Sequence, residues 1–238
     1  MDDTTTPAPA PTTELVRMPV WDWPVRVVHW AMVLCLLSLV ITGLVKGDAM
    51  PWHMGFGRVL LGLVVFRILW GFVGSGNARF GAFVRGPRAA VRYLRSRFHP
   101  PHEIHVTHNP AGGWMVVLLL AAMLAQAVLG LYTNDDVLWD GPLAQSVSKD
   151  ASDLASSIHR RLAWVVVALA SLHIVAVVVY LTAFRENLVT AMVCGSKRLP
   201  PGYGSPDAAR ASTANAIALM IACGVAVWWL TRRVAAAF

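Results

Sequence analysis

His159 and His173 stand 14 residues apart on one apolar stretch, while His29 and His53 each open a different one. Fourteen residues is two heptads, so both imidazoles of the first pair face the same way in a left-handed helical bundle, ~21 Å apart at ~1.5 Å per residue. Imidazole is costly to hold inside a bilayer, which makes its default reading functional. Facing imidazoles from neighbouring helices form a six-coordinate haem iron site. A helix with two such ligands holds two cofactors, one near each membrane surface, and the chain reads as a transmembrane electron carrier with two b-type haems.

Those ligands need helices to carry them, and the composition supplies them. Hydrophobic residues make up 56% and charged residues 14%, with a mean hydropathy of +0.56, whereas soluble domains carry about 25% charged residues. Apolar runs cover 28–45, 56–73, 114–132, 162–184 and 214–230, each near the ~20 residues a helix needs to cross hydrocarbon. The expectation is an all-α integral membrane protein with five spans and no room for a separate soluble domain. Residues 1–19, rich in Thr, Pro and Ala, read as a disordered arm ahead of a retained first helix, since they lack the cationic start of a cleavable signal.

Charge sets the orientation. Between the second and third spans lie Arg79, Arg85, Arg88, Arg92, Arg95 and Arg97 against Glu103, whereas the next connection holds Asp135, Asp136, Asp140, Asp150 and Asp153 against Lys149. By the positive-inside rule the arginine connection and the amino terminus are cytoplasmic and the acidic connection faces out. The formal net charge of +7 is then accounted for by topology and points to no nucleic acid. Arg232 and Arg233 run against this pattern, leaving a re-entrant or displaced last helix open.

With that topology His29 and His173 lie near the inner surface, and His53 and His159 near the outer one. Only these two cross-helix pairings match ligands in depth. Gly43, 14 residues after His29, presents a face without Cβ at the level of the outer site. Gly55 and Gly57 flank that site, where a porphyrin plane needs backbones free of bulky side chains; packing of small residues between helices is the structural alternative. Arg67, 14 residues beyond His53, falls at the inner level. Its counter-ions in this reading are haem propionates or, by snorkelling, the headgroup layer.

The remaining polar residues carry weaker readings. Cys35, Cys194 and Cys223 form no CxxC or CxxCH, so covalent haem and thiolate clusters are unsupported, and Cys35 and Cys223 read as small core residues. His99, His102, His105 and His108 recur every third residue beside Pro100, Pro101 and Pro110, which reads as a solvated loop rather than a metal site. Residues 87–98 place Arg88, Arg92 and Arg95 on one helical stripe and Val91, Leu94 and Phe98 on another, the pattern of a short helix on anionic headgroups. Gln126, deep in the third span, reads first as an interhelical hydrogen-bonding group and second as a contact to a quinone or haem edge.

Several stretches, WDWPVRVVHW at 21–30, HMGFGR at 53–58, RILWGFVG at 67–74, HNPAGGW at 108–114 and HRR at 159–161, with His173 beyond, resemble the prokaryotic cytochrome b561 family, which includes the b-type cytochrome subunits of nickel-iron hydrogenases. The resemblance covers roughly 19–198. It implies a four-helix transmembrane bundle with two b haems, bis-histidine ligands at His29, His53, His159 and His173, and electron transfer between quinone and a partner redox protein. The chain then divides into a disordered arm (1–19), a cytochrome b561-like dihaem domain (20–198), and a linker with an additional C-terminal transmembrane helix (199–238), the last a departure from the four-helix core.

The expected function is thus electron transfer across the bacterial cytoplasmic membrane between quinone or quinol and a partner, for instance a c-type cytochrome. The alternatives are an anchor subunit draining a dehydrogenase or hydrogenase into quinone and, from a different class, a haem or small-molecule transporter. Apart from possible quinol oxidation or quinone reduction, no group-transfer chemistry is expected.

Overall fold

The computed structural model describes residues 14–97 and 104–233. A short strand β1 (Val16–Pro19) leads into α1 (Trp23–Val45), which a turn joins to α2 (Met50–Val73). The short helices α3 (Phe80–Phe83) and α4 (Pro87–Ser96) precede α5 (Pro110–Gly130). The long α6 (Lys149–Thr182), α7 (Leu188–Cys194), β2 (Ser196–Leu199) and α8 (Thr213–Arg233) complete the chain. Five of these helices, α1, α2, α5, α6 and α8, are long and apolar enough to cross a membrane. They are arranged up and down, so that one end of the bundle carries the arginine-rich connection and the other the aspartate-rich one.

The spanning helices α1, α5 and α6 each start where a side chain accepts from a free N–H group of the first turn. Asp22 Oδ1 accepts from Val25 N at 2.9 Å, with Pro24 in the first turn of α1. Asn109 Oδ1 accepts from Gly112 N at 2.8 Å beside Pro110, and Ser148 Oγ from Ala151 N at 3.3 Å. The α1–α2 turn is made by Lys46 and Gly47, both at positive φ, and Pro51 restarts the helix.

Packing follows the bilayer rather than water. Leu34, Ile41, Trp164 and Ile174 are each more than 60% exposed, since hydrocarbon solvates them as well as a protein core would. What is buried lies between helices: Cys35, Leu60, Val64, Leu120, Met123 and Val166 form the middle layer. Helix α8 packs on α2, contributing Ala216 and Cys223 to the cluster at the arginine end and Val227 to that at the aspartate end. It therefore runs the full height of the bundle, which removes the re-entrant alternative and carries Arg232 to the aspartate end. Cys35 and Cys223 are buried, as their reading as core residues requires.

At the arginine end β1 and β2 pair antiparallel, Val16 opposite Leu199 and Pro19 opposite Ser196. Gly195, at a φ of 79° that favours glycine, ends α7, and its carbonyl accepts from Val20 N and Trp21 N at 2.8 and 3.1 Å. Val16–Pro19 belong to the stretch expected to be a disordered arm. Here they form a strand, because a partner strand distant in sequence takes up their backbone groups; residues 1–13 lie outside the described residues.

Helix α4 has Arg88, Arg92 and Arg95 exposed, but Val91 and Leu94 are exposed too, and the residue that packs inward is Tyr93. Its hydroxyl meets that of Tyr180 on α6 at 2.7 Å. Phe98 lies outside the described residues.

Candidate functional site

The four spanning-helix histidines sort into two pairs. At the arginine end His29 of α1 faces His173 of α6, with ring centroids 6.4 Å apart. Towards the aspartate end His53 of α2 faces His159 of α6 at 6.3 Å. Two imidazoles sharing one first-row metal at the usual ~2.0–2.1 Å bond length, each with about 1.2 Å from nitrogen to ring centre, stand ~6.4 Å apart. Both gaps have that width.

A model of prokaryotic cytochrome b561 matches residues 20–195. The chain belongs to the prokaryotic cytochrome b561 family. Among its relatives are probable Ni/Fe-hydrogenase B-type cytochrome subunits of Rhizobium leguminosarum bv. viciae, 23% identical over 75% of this chain and 87% of the relative, and of Bradyrhizobium diazoefficiens, 22% identical over 75% and 85%. The probable Ni/Fe-hydrogenase 1 B-type cytochrome subunit of Escherichia coli (strain K12) is 32% identical over a shorter stretch, 25% of this chain and 33% of the relative. Membership makes the chain a multi-pass membrane b-type cytochrome that carries electrons, with haem b as its cofactor.

The residues present fit that group. At the aspartate end His53 Nδ1 lies 3.1 Å from the carbonyl oxygen of Leu39 and 3.2 Å from Thr42 Oγ1; His159 Nδ1 lies 3.0 Å from the carbonyl oxygen of Gln126. A carbonyl can only accept, so both Nδ1 atoms carry hydrogen and each Nε2 bears the lone pair that a metal would take, the one on His159 accepting from the Gln126 amide here. A Cβ on Gly43 would stand 3.1 Å from His53 Cε1, and one on Gly130 would stand 3.0 Å from His159 Cε1. Gly43, expected from the sequence to present a face without Cβ at this level, has the imidazole itself as its neighbour. Gly57 meets only Leu39 Cδ2, at 4.0 Å, and Gly55 nothing within 4 Å, which leaves room along that face of α2. Gln126 makes the expected interhelical hydrogen bond, its Nε2 lying 3.2 Å from His159 Nε2.

The arginine end is built differently. His29 Nδ1 is buried and has no hydrogen-bond partner, and Arg67, 4% exposed, has a buried Nη1 without one. The guanidinium stands 5.5 Å from the Phe80 ring centroid. The orphaned guanidinium N–H of Arg67 fits a cofactor that brings carboxylates of its own.

Asp22 corrects the expectation that Arg67 has only propionates or headgroups as counter-ions. Its buried carboxylate exerts an electrostatic pull on Arg67. It is held by Val25 N and, through Oδ2, by Trp70 Nε1 at 2.9 Å. Sequence reasoning missed it because an aspartate followed within two residues by proline signals only a helix cap.

His108 is also a correction: it is not part of a solvated loop. It sits between the rings of Trp21 and Phe83, with centroids 4.7 Å away on each side, and its Nδ1 is sealed without a partner. Burial, helped by the charges of Arg67 and Lys197, pushes its pKa down to about 3. His105 packs edge-on against Tyr93, while His99 and His102 lie outside the described residues. Among the described residues no group of three or more His, Cys, Asp or Glu could hold a metal ion.

Proposed function

We propose that the chain binds two non-covalent b haems, one between His29 and His173 and one between His53 and His159, and passes single electrons from one membrane surface to the other. The observation that carries this reading is the pair of equal gaps, 6.4 and 6.3 Å, at two levels of one helix. Haem supplies the one-electron iron couple; the protein supplies ligation, orientation and exclusion of water. His159 and His173 fix the separation of the sites at ~21 Å along α6. Leu39 and Gln126 orient two of the rings, and Arg67 stands ready for a propionate. Gly43 makes room on α1 for the His53 ring, and Gly57 leaves the α2 face open at the aspartate-end site.

The arginine end faces the cytoplasm, as does the amino terminus, because the positive-inside bias of residues 79–97 decides orientation. Relatives named as hydrogenase cytochrome subunits support a role in which a peripheral hydrogenase or dehydrogenase delivers electrons that the chain hands to quinone. A c-type cytochrome as partner is supported only by the acidic connection at the other end.

The decisive experiment is a reduced-minus-oxidised spectrum of the purified protein with haem quantitation, before and after adding a quinol. Two low-spin haems per chain, extractable into acid acetone and in redox equilibrium with the added quinol, are expected. One haem per chain, or haem that stays with the polypeptide, overturns the reading.

A further inference from the structure

The two histidine pairs differ in what holds the ring nitrogen that points away from the gap. In α1 the carbonyl that receives His53 Nδ1 belongs to Leu39, four residues before Gly43; in α5 the one that receives His159 Nδ1 belongs to Gln126, four residues before Gly130. The repetition has a physical basis. A helical carbonyl bonds the N–H four residues on, and its second lone pair points out beside the Cβ of that later residue. With glycine there, an imidazole reaches the lone pair; a methyl would stand 3.0–3.1 Å from the ring, and the ring would have to move off the carbonyl. At the arginine end nothing equivalent exists: His29 Nδ1 is buried without a partner, and among the described residues the His173 ring makes no hydrogen bond.

We propose that Gly43 and Gly130 are positioning residues that give the aspartate-end haem a backbone-carbonyl second shell and thereby set its potential below that of the arginine-end haem. The inference rests on the dihaem reading. A ligand imidazole that donates its other N–H is more basic and favours ferric over ferrous iron. At the arginine end this lowering is missing, and the buried Arg67 favours the more electron-rich ferrous site. With haem bound at both sites, an electron delivered at the aspartate end by a redox partner would run downhill to the arginine end, the one site losing the electron that the other gains with no bond made or broken, and quinone would take it on.

The test is a spectroelectrochemical titration of the purified holoprotein, with His159→Ala and His173→Ala assigning the components. A haem-to-chain ratio of two is measured first, since any other ratio overturns the dihaem reading itself. With two haems, the lower-potential component should be the one lost in His159→Ala, and Gly43→Ala should move it upward while leaving the other in place. Thr42→Val, which removes the hydroxyl 3.2 Å from His53 Nδ1 without adding bulk next to the ring, should move it the same way. Should Gly43→Ala lose the haem, the His159→Ala assignment and the Thr42→Val shift still decide. Loss of the higher-potential component in His159→Ala overturns the proposal, as does an unmoved lower component in Gly43→Ala or, where that variant loses the haem, in Thr42→Val.

Discussion

Asp22 and Trp70 are joined by a 2.9 Å hydrogen bond from the indole Nε1 to the carboxylate, which ties the start of α1 to the end of α2. The same carboxylate caps α1 through Val25 N and lends Arg67 its acid. One side chain thus carries the helix start, the α1–α2 contact and the charge balance of the arginine end. Asp22→Ala should cost about 1 kcal/mol for the cap and about 1–3 kcal/mol more for leaving the buried Trp70 indole N–H without an acceptor. Trp70→Phe should cost less, about 1.5–3 kcal/mol for a hydrogen bond to a charged group. Thermal unfolding in detergent ranks the two; equal losses would mean that the carboxylate matters only as the partner of Trp70.

His173→Ala should remove the arginine-end haem and His159→Ala the aspartate-end one, because the two residues sit at different levels of α6. Difference spectra and potentiometric titrations of the variants should retain different components. Loss of the same component from both would refute the pairing.

Arg67→Leu should lower the midpoint potential of the arginine-end haem or loosen its retention, since removal of the guanidinium leaves Asp22 and any propionate unopposed. The aspartate-end haem, ~21 Å away by helical rise, should change little. Potentials unchanged at both sites would show that Asp22 alone accounts for the buried charge.

Acid should destabilise the arginine end through His108. Its pKa in the folded chain is about 3, below the usual 6.5, so the unfolded chain binds the proton more readily. The stabilisation is complete above pH 6.5 and is lost as pH falls towards 3. At pH 5 the loss is on the order of 2 kcal/mol. His108→Phe, which keeps a ring between Trp21 and Phe83, should flatten that dependence in unfolding measurements made from pH 7 to 5; an unaltered slope would place the acid sensitivity elsewhere.

The acids of the aspartate end should separate by role. Asp135 accepts backbone N–H groups of Val137, Leu138 and Trp139, which hold its carboxyl below the usual range. Asp135→Asn should disturb the connection itself. Asp136, paired with Lys149, and Asp140, bonded to Gln145, are charges at the surface. Their neutralisation should slow electron exchange with a basic partner at low salt and not at high salt. A rate that does not depend on these charges at any ionic strength would leave membrane topology as the whole cause of the acidic connection.

What the sequence determined by itself was the set of spans and the register of the histidines. Both are local properties: bilayer thickness sets how long an apolar run must be, and helical rise sets depth from residue number. Depth alone was enough to pair His29 with His173 and His53 with His159, and the folded chain brings those same rings together. Only the tertiary structure decided what surrounds them. Gly130 beside His159, Asp22 opposite Arg67, His108 between Trp21 and Phe83, and β1 against β2 each join residues far apart in the chain. Nothing in their own neighbourhoods marks them, because a glycine, a helix cap or a loop histidine acquires its role from the helix packed against it.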